Sequence, residues 1–378
     1  MSQQTAYVGS GSIAGTPPHA ILAALAFTGV MLAGAWQMTA AARHTDSLDF
    51  PSTLLDFREG RTTGGLEKQL DHKLPARSSL IAFANGIRYS LVRGGGDKVR
   101  PGLDDWLFSV EEFQFFNDFQ AHQKMRLKIL SDTGLALKAQ GVTLVIAVVP
   151  DKARMYPEKL LGGHYPYWYA DRYSFILNTL KSQGVSTINL IPVLTSTNAE
   201  TALYYRTDTH WNQSGAQRAA EAVAGHVKAI VDDLPKTSFV TTPTGPLTQR
   251  IGDLLRMMEL SNVPDWFRPI PDEESSVFTQ KDPAAPPSGL FDTVIVPVVL
   301  VGTSYSLRAN FHGSLQQALG TDVLNVARNG GGFIQSAKDY LADESFKTAK
   351  PRIIVWEVPE RMFAAPLTDA EKQGIQLQ

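Results

Sequence analysis

Residues 299–306 read Val-Leu-Val-Gly-Thr-Ser-Tyr-Ser, and this stretch decides the fold. An apolar run enters it from residue 294 and ends at Gly302, and a helical pattern begins just after Ser304. An apolar run without polar alternation is typical of a strand buried on both faces of a sheet. A buried strand that turns into a helix predicts an α/β unit whose turn faces a crevice beyond the carboxyl edge of the sheet.

The alternation of strand and helix patterns extends along the chain in both directions. Further strand-like runs cover 142–149, 187–190, 202–206, 322–327 and 352–358, and helical patterns cover 119–140, 168–183, 214–233 and 333–343. The helix at 214–233 opens with Ser214 and has Gln217 three residues later, as in a capping box. Strands that alternate with helices predict a parallel sheet covered by helices.

Residues 234–292, here called the insertion, break this alternation. They contain nine of the chain's 22 prolines, which predicts no regular sheet there and one helix around 248–260. We interpret the segment as an insertion in one large domain over 101–365, which a tail at 366–378 follows.

The N-terminal region has a different composition. Residues 1–18 predict a flexible leader, and 19–42 form an uncharged apolar run long enough for a transmembrane signal-anchor. Small residues at its end keep a cleaved signal peptide as the alternative. Residues 43–100 then predict a juxtamembrane segment of short helical patterns and glycine-rich breaks.

Composition excludes several classes of function. Hydrophobic residues make up 43% and charged residues 19% of the 378 positions, which indicates a folded globular protein. The 35 basic and 37 acidic residues nearly balance, which argues against nucleic acid as a partner. The chain has no cysteine, so disulfides, thiolate zinc sites and a cysteine nucleophile are excluded.

Ser304 is the candidate nucleophile. It stands where the strand pattern passes into a helix, and free N–H groups at a helix start can stabilise a developing oxyanion. The alternative is that Ser304 only caps the helix, a frequent role for serine. The stretch departs from the G-x-S-x-G nucleophile elbow, because Ser306 occupies the place of the second glycine.

Residues 204–212 read Tyr-Tyr-Arg-Thr-Asp-Thr-His-Trp-Asn and supply a candidate base. A triad needs an imidazole whose orientation a carboxylate fixes, and Asp208 and His210 lie two positions apart in one loop. We predict a Ser–His–Asp acyl-transfer site of Ser304, His210 and Asp208. An Asx-turn, a structural histidine and half of a metal site are the alternatives, although no H-E-x-x-H motif accompanies the pair.

Asp-Thr-His-Trp-Asn at 208–212, followed by Gly-Thr-Ser-Tyr-Ser at 302–306, resembles the SGNH-hydrolase-like acetyltransferases that O-acetylate bacterial exopolysaccharides such as alginate and cellulose. Supporting matches lie at 106–108, 150–152 and 356–361, so the resemblance covers roughly 100–363. It implies a three-layer SGNH-like domain whose sequence blocks are permuted, with the serine block last. It also implies that Asp208, His210 and Ser304 form the triad.

The remaining site residues are less specific. The Ser304 N–H is the natural first oxyanion donor, and the loop with Asn329 and Gly330 is a candidate second one or simply a strand-to-helix turn. Tyr305 and Trp211 are predicted either to pack on a sugar ring or to lie in the core. Five cations beside the predicted strand ends are candidates for uronate carboxylates or solvated surface charges: Lys152, Arg154, Arg206, Arg308 and Arg361.

The resemblance implies a polysaccharide O-acetyltransferase that works through an acetyl-serine intermediate, with no cofactor and no metal. It further implies a membrane-bound O-acyltransferase that supplies acetyl groups, other exopolysaccharide synthesis and export subunits as partners, and attachment to the inner membrane with the catalytic domain in the periplasm. A cleaved signal would leave it soluble in the periplasm.

Three other functions stay open from the residues. A carbohydrate acetyl esterase would use the same triad with water as acceptor. A non-catalytic polysaccharide-binding scaffold would retain only the fold, and a metal-dependent hydrolase would use Asp208 and His210 as ligands. Near-neutral net charge favours a neutral glucan over a uronate polymer as the acceptor.

Overall fold

A computed structural model of the protein describes residues 18–43, 53–71, 76–195, 202–284 and 296–375. The chain divides into two compact units, Met1–Ala82 and Phe83–Gln378. The leader lies outside the described residues up to position 17, as does 285–292 of the insertion.

The first unit is helical. It contains α1 (Pro18–Arg43), α2 (Leu54–Arg58), α3 (Arg61–Asp71) and the start of α4 (Arg77–Val92). Thr53 and Asp56 form a capping box at the start of α2.

Helix α1 covers the run that predicts a transmembrane anchor. Within the described ranges, no helix combines the length and the apolarity that crossing a membrane requires. The expected anchor over 19–42 is therefore not supported, and the described part of α1 includes Thr28, Gly29, Gly34 and Gln37 between its apolar residues.

The second unit contains the remaining elements. Its strands are β1 (Val99–Pro101), β2 (Leu107–Ser109), β3 (Thr143–Val149), β4 (Ser186–Asn189), β5 (Phe239–Pro243), β6 (Thr248–Arg250), β7 (Asp272–Glu274), β8 (Val277–Lys281), β9 (Val298–Val301), β10 (Val323–Asn325) and β11 (Ile353–Pro359). Its further helices are α5 (Phe119–Ala139), α6 (Lys152–Met155), α7 (Arg172–Ser182), α8 (Ile191–Leu194), α9 (Gln213–Ile230), α10 (Asp253–Met257), α11 (Phe311–Leu319), α12 (Gln335–Ala342), α13 (Glu344–Thr348) and α14 (Asp369–Gln373).

Five strands form the central sheet, in the order β10-β9-β11-β3-β4, and every neighbouring pair is parallel. Strand β11 lies in the middle and pairs with β3 from Ile353↔Thr143 to Pro359↔Val149. Alternate residues of β3 pack on opposite faces of the sheet: Val145 and Ala147 contact one core cluster, and Ile146 and Val148 the other.

Helices cover both faces of this sheet. Residues of α9 and α11 fill one cluster, and residues of α5, α7 and α12 fill the other. The predicted α/β architecture, a parallel sheet between two helical layers, is confirmed.

The segment 202–206, for which the pattern predicts a strand, does not join the sheet. It contributes only an isolated bridge between Tyr204 and Trp211. Its backbone makes other hydrogen bonds instead: the Leu203 N–H donates to the Tyr156 hydroxyl, and the N–H and carbonyl of Arg206 bind the buried side chains of Asp272 and Lys152.

The expectation of no regular sheet in the insertion is wrong. Strand β5 pairs with β8, and β6 with β7, in two short antiparallel ladders, and the helix α10 is shorter than predicted. The ladders tolerate these prolines because each stands at a strand end or outside a strand. Pro243 ends β5, Pro246 lies between β5 and β6, and Pro271 precedes β7.

Candidate active site

The nucleophile turn, residues 302–308, follows directly from β9. Ser304 begins a short 3-10 helix, Ser304–Leu307, and Thr303 caps it by accepting the Tyr305 N–H at 3.3 Å. A Cβ at Gly302 would lie 2.6 Å from both Glu357 Oε2 and Ser306 Oγ, so any larger residue here would displace the carboxylate and hydroxyl that hold the turn. Thus the strand end, the cap and the tight approach to β11 fix the Ser304 backbone.

Glu357, on the adjacent strand β11, fixes this turn through hydrogen bonds. The carboxylate is fully buried and accepts the Thr303 N–H at 2.8 Å and the hydroxyls of Thr303 and Ser306 at 3.0 Å. Burial raises the pKa of Glu357, although the hydrogen bonds from these two residues oppose the rise. From the sequence, Glu357 was recognisable only as part of a family match, because nothing local links it to a turn 54 residues away.

The three predicted triad side chains meet. Ser304 Oγ lies 2.7 Å from His210 Nε2, and His210 Nδ1 lies 2.5 Å from Asp208 Oδ1. Asp208 and His210 are buried, whereas Ser304 is partly exposed. This geometry lets His210 take the hydroxyl proton while Asp208 fixes its orientation.

Asp208 is held in its charged form. Burial acts to raise the pKa of Asp208, but the hydrogen bond and charge of His210 and the charge of Arg250 outweigh it and keep this pKa well below the ordinary range. The second oxygen, Oδ2, accepts Arg250 Nη2 and the Asp253 N–H, both at 3.2 Å. An ionised Asp208 is what a base of this kind requires opposite its Nδ1–H.

Residues 204–212, the base loop, are bound on their carbonyl side by Lys152. Its Nζ donates to the carbonyls of Leu107, Arg206 and Asp208 at 2.6, 2.8 and 3.0 Å and lies over the ring of Trp106. Burial lowers the pKa of Lys152 to about 8, with nearby carboxylates opposing. Because its exposure is 0%, Lys152 cannot meet a uronate, and that prediction is wrong.

The amide side of the base loop is bound by the insertion. Asp272 accepts the N–H groups of Arg206 and Thr207 at 2.8 and 2.9 Å, and Asp253 accepts that of Thr209 at 2.7 Å. Sequence reasoning missed both carboxylates, since they lie 44 to 66 residues along the chain in a segment interpreted as an insertion only.

Tyr305 and Trp211 are core residues and do not line a sugar site. Tyr305 is buried, donates its hydroxyl to the Thr209 carbonyl at 2.6 Å, and its ring centroid lies 4.7 Å from that of His210. Trp211 is buried against Phe311, with ring centroids 4.8 Å apart. Of the two alternatives for these aromatic rings, the structure selects the core.

Three of the remaining predicted cations have carboxylate partners. Arg154 pairs with Glu360 at 2.6 Å and Arg361 with Glu111 at 2.9 Å, and Arg206 lies 3.7 Å from Asp272. A uronate would have to compete with these partners, most strongly at the buried Glu360.

Arg308 differs, since no described residue gives its side chain an ion pair or a hydrogen bond, and its Nε is buried without a partner. It ends the nucleophile turn. The next two residues, Ala309 and Asn310, both have left-handed backbone, with φ of 53° and 55°, and Asn310 donates to Thr279 Oγ1 of β8 at 2.8 Å. Two such residues in succession are strained, and strain of this kind clusters at functional sites.

The predicted oxyanion loop lies beside the nucleophile turn. Arg328, at its start, donates its N–H to the Gly302 carbonyl at 3.1 Å, and Asn329 and Gly330 are exposed beyond it. Gly330 has φ of 66°, as a turn requires. The oxyanion role of Asn329 and Gly330 stays a prediction.

Asp208, His210 and Asp253 have ligand atoms within 4.8 Å of one another, which a metal ion requires. These atoms are already engaged: Asp208 Oδ1 with His210 Nδ1, Asp208 Oδ2 with Arg250, and the Asp253 oxygens with Thr209. A guanidinium on one of the carboxylates opposes a cation. The donor set therefore favours proton transfer over metal binding.

A family model described as SGNH hydrolase-like domain, acetyltransferase AlgX, matches residues 99–360. The chain belongs to this family. The match agrees closely with the span of the resemblance and confirms it.

Individual relatives agree. The probable alginate O-acetylase AlgJ of Azotobacter vinelandii is 32% identical over 89% of this chain and 86% of its own length. Among solved structures, the O-acetyltransferase domain of Pseudomonas putida AlgJ has a TM-score of 0.63 at 32% identity, covering 72% of this chain and 94% of that domain. Pseudomonas aeruginosa AlgX has a TM-score of 0.55 at 26% identity, covering 69% and 62%.

These similarities show an SGNH-like O-acetyltransferase. The predicted fold family and enzyme class are therefore confirmed, and this acetyltransferase has the serine block of its domain after the Asp/His block.

Proposed function

We propose that this acetyltransferase O-acetylates alginate, with Ser304 as nucleophile, His210 as general base and Asp208 as the group that orients the base. The observation that carries the proposal is the continuous contact from Ser304 Oγ through His210 to Asp208, inside a chain of the AlgX family. The choice of alginate as the acceptor polymer rests on the named relatives, because the AlgJ protein of Azotobacter vinelandii is named a probable alginate O-acetylase.

The first half-reaction forms the acetyl-enzyme. Ser304 Oγ attacks the carbonyl carbon of the acetyl donor while His210 Nε2 takes the hydroxyl proton. The Ser304 N–H stabilises the tetrahedral oxyanion. As this intermediate collapses, the bond to the donor's leaving group breaks and His210 returns the proton to that group.

The second half-reaction transfers the acetyl group. A sugar hydroxyl attacks the acetyl carbonyl and gives its proton to His210, and the new ester forms as the bond to Ser304 Oγ breaks. His210 then returns the proton to Ser304. The ionised Asp208 stabilises the imidazolium that exists in each half-reaction.

The unpartnered cation at Arg308 supports a uronate acceptor. An arginine four residues after the nucleophile, without a carboxylate of its own, suits bidentate binding of a uronate carboxylate. This local charge counts for more than the near-neutral net charge that favours a neutral glucan, because recognition depends on the groups beside the reacting atoms.

We place the reaction in the periplasm, beside a membrane-bound O-acyltransferase that delivers acetyl groups and other alginate synthesis and export subunits. A cysteine-free chain suits an oxidising compartment. The location does not depend on whether the N-terminal helix is cleaved.

Intact-mass spectrometry of the purified full chain tests the proposal. After exposure to an activated acetyl ester, the wild-type protein should gain one acetyl group and Ser304→Ala none, with exposed Ser345→Ala as the matched control that keeps it. A mannuronate oligosaccharide should discharge the adduct faster than a glucan does. An adduct that survives Ser304→Ala would reject the nucleophile, and discharge by water alone at the same rate would favour the esterase.

A second measurement addresses the polymer. Arg308→Ala should raise KM for mannuronate oligosaccharide about tenfold, with a much smaller effect on formation of the acetyl-enzyme. An unchanged KM would remove Arg308 from the acceptor site, and preferential discharge by glucan would replace alginate with a neutral polymer.

A further inference from the structure

The insertion brings a second carboxylate to the base. Asp253, the first residue of α10, places Oδ2 3.5 Å from His210 Nδ1, while Asp208 Oδ1 lies 2.5 Å from the same nitrogen. Asp253 is held there because Oδ1 accepts the Thr209 N–H and its own N–H donates to Asp208 Oδ2. One ring nitrogen therefore faces two carboxylates, only one of which belongs to the triad.

The insertion also brings the opposing charge. Arg250, the last residue of β6, donates through Nη2 to Asp208 Oδ2 and through Nη1 to Glu274 Oε2, both at 3.2 Å. Its guanidinium lies 4.3 Å from the Tyr205 ring centroid. Glu274 lies opposite Thr248 in the β6–β7 ladder, so this ladder places the guanidinium against the triad carboxylate.

The backbone of the insertion closely approaches the base loop between these two side chains. A Cβ at Gly252 would lie 2.0 Å from the Thr207 carbonyl oxygen and 2.8 Å from the Asp208 nitrogen. Only a residue without a side chain fits at this contact. The positions of Arg250 and Asp253 are therefore set by direct packing of the insertion on the loop that carries the base.

We propose that Asp253 and Arg250 are positioning residues that set the charge around His210, so that the insertion forms part of the catalytic apparatus. The inference rests on the proposed function in taking His210 as the base. Neither residue touches the reacting atoms, and each acts through His210 or Asp208.

The two residues act in opposite directions. When His210 takes a proton, the Asp253 carboxylate stabilises the imidazolium, whereas the Arg250 guanidinium opposes it and neutralises part of the Asp208 charge. A purely structural role for either residue predicts a loss of rate or stability, with no such opposition.

Other charged or titratable groups near His210 lie on the nucleophile turn, on β11 and on α6. Tyr305, on the nucleophile turn, packs against the His210 ring. The carboxylate of Glu357, on β11, interacts with the charge of His210, and Lys152, on α6, donates to the Asp208 carbonyl. These groups are the same in all variants below, so they cancel in the comparison between variants.

The pH dependence of kcat/KM for acetyl transfer tests the proposal on the full chain, because its acid limb reports protonation of the base in the free enzyme. Asp253→Asn should move this limb to lower pH, and Arg250→Gln to higher pH, each by about 0.5 to 1 unit. Asp272→Asn is the matched control. It removes a carboxylate that binds the N–H groups of the same loop without facing the imidazole, and it should leave the limb in place.

Arg250→Lys separates an effect of charge from an effect of disturbed structure. It keeps the charge but not the fork that reaches both Asp208 and Glu274, so it should lose rate while its acid limb stays at the wild-type pH. Thermal unfolding of each variant identifies any that do not fold.

Displacement of the limb in opposite directions supports the inference. No displacement in folded Asp253→Asn and Arg250→Gln, or displacement in one direction for both, overturns it. These outcomes are distinct from failure of the proposed function, which an active Ser304→Ala would show. An inactive Ser304→Ala with an unmoved Asp253→Asn limb rejects the inference alone.

Discussion

The nucleophile turn and the base loop supply the two ends of the proposed proton transfer, yet they are held in different ways. The nucleophile turn leaves a buried strand, enters a 3-10 helix and is fixed by one carboxylate, Glu357, on the adjacent strand β11. The base loop has almost no regular structure. It is fixed by charged side chains from outside the loop, Lys152 on its carbonyls and Asp272 and Asp253 on its amides.

The difference shows what each construction requires. A turn at a strand end takes its geometry from the sheet, so a single buried acceptor completes it. A loop without strand partners still has buried N–H and C=O groups to satisfy, and leaving them unpaired costs about 1 to 3 kcal/mol each. The base loop therefore depends on several distant residues, and we expect its variants to fail in more ways than those of the nucleophile turn.

The largest effect should come from the triad carboxylate in the base loop. Asp208→Asn keeps the shape but removes the charge that orients and stabilises the His210 imidazolium, so acetyl transfer should fall by about 10³- to 10⁴-fold. The rate of acetyl-enzyme formation measures the change. A loss of less than about tenfold would show that Asp253 alone suffices to orient the base.

The next effect should be on folding. Lys152→Met removes the donor shared by three carbonyls, and those of Leu107 and Asp208 lose it outright, whereas the Arg206 carbonyl still accepts the Leu107 N–H. At about 1 to 3 kcal/mol for each of the two, the free energy of unfolding should drop by about 2 to 6 kcal/mol. Urea unfolding measures it. The exposed Lys138→Met on α5 is the control and should change stability by about 0.5 kcal/mol or less. A small loss of stability in Lys152→Met would mean that the base loop does not need the hydrogen bonds from Lys152 to its carbonyls.

The nucleophile turn should respond more mildly. Glu357→Gln replaces one acceptor oxygen with an N–H₂ group that faces the donors of Thr303 and Ser306. We expect about a 10- to 100-fold loss of acetyl-enzyme formation and about 1 to 2 kcal/mol of stability. If this variant lost as much stability as Lys152→Met, the contrast between the turn and the loop would disappear.

The smallest effect concerns pH. Glu112 accepts the Ala153 N–H at 2.6 Å in the helix that carries Lys152, and burial, with the charge of Asp151, raises the pKa of Glu112 from 4.5 to about 8. A carboxyl whose folded-state pKa is raised stabilises the fold fully below about pH 4.5 and loses that contribution as pH rises through about 8. The free energy of unfolding should therefore fall over this range.

Glu112→Gln keeps an acceptor for the amide but cannot ionise. Its unfolding free energy should change less between pH 5 and pH 8 than that of the wild type, by about 1 kcal/mol. Urea unfolding at a series of pH values compares the two. Parallel curves for both proteins would show that Glu112 does not titrate in this window.

The sequence alone determined the α/β layers and the three residues of the proposed triad. Apolar runs at 142–149, 294–301 and 352–358 are typical of parallel strands buried on both faces of a sheet. Asp208 and His210 lie two positions apart in one loop. Ser304 follows a strand end, where side chains of an α/β sheet meet a crevice. These are local patterns, and local patterns are what a sequence displays.

Only the tertiary structure decided what surrounds the triad. It buried Lys152 under the base loop rather than beside a sugar, directed Trp211 and Tyr305 into the core, and paired strands within a proline-rich segment. It also brought Arg250 and Asp253 to the base from more than 40 residues away. The physical reason is that buried backbone groups and charges take whichever partner the packed chain places within about 3 Å, and periodicity carries no record of that choice.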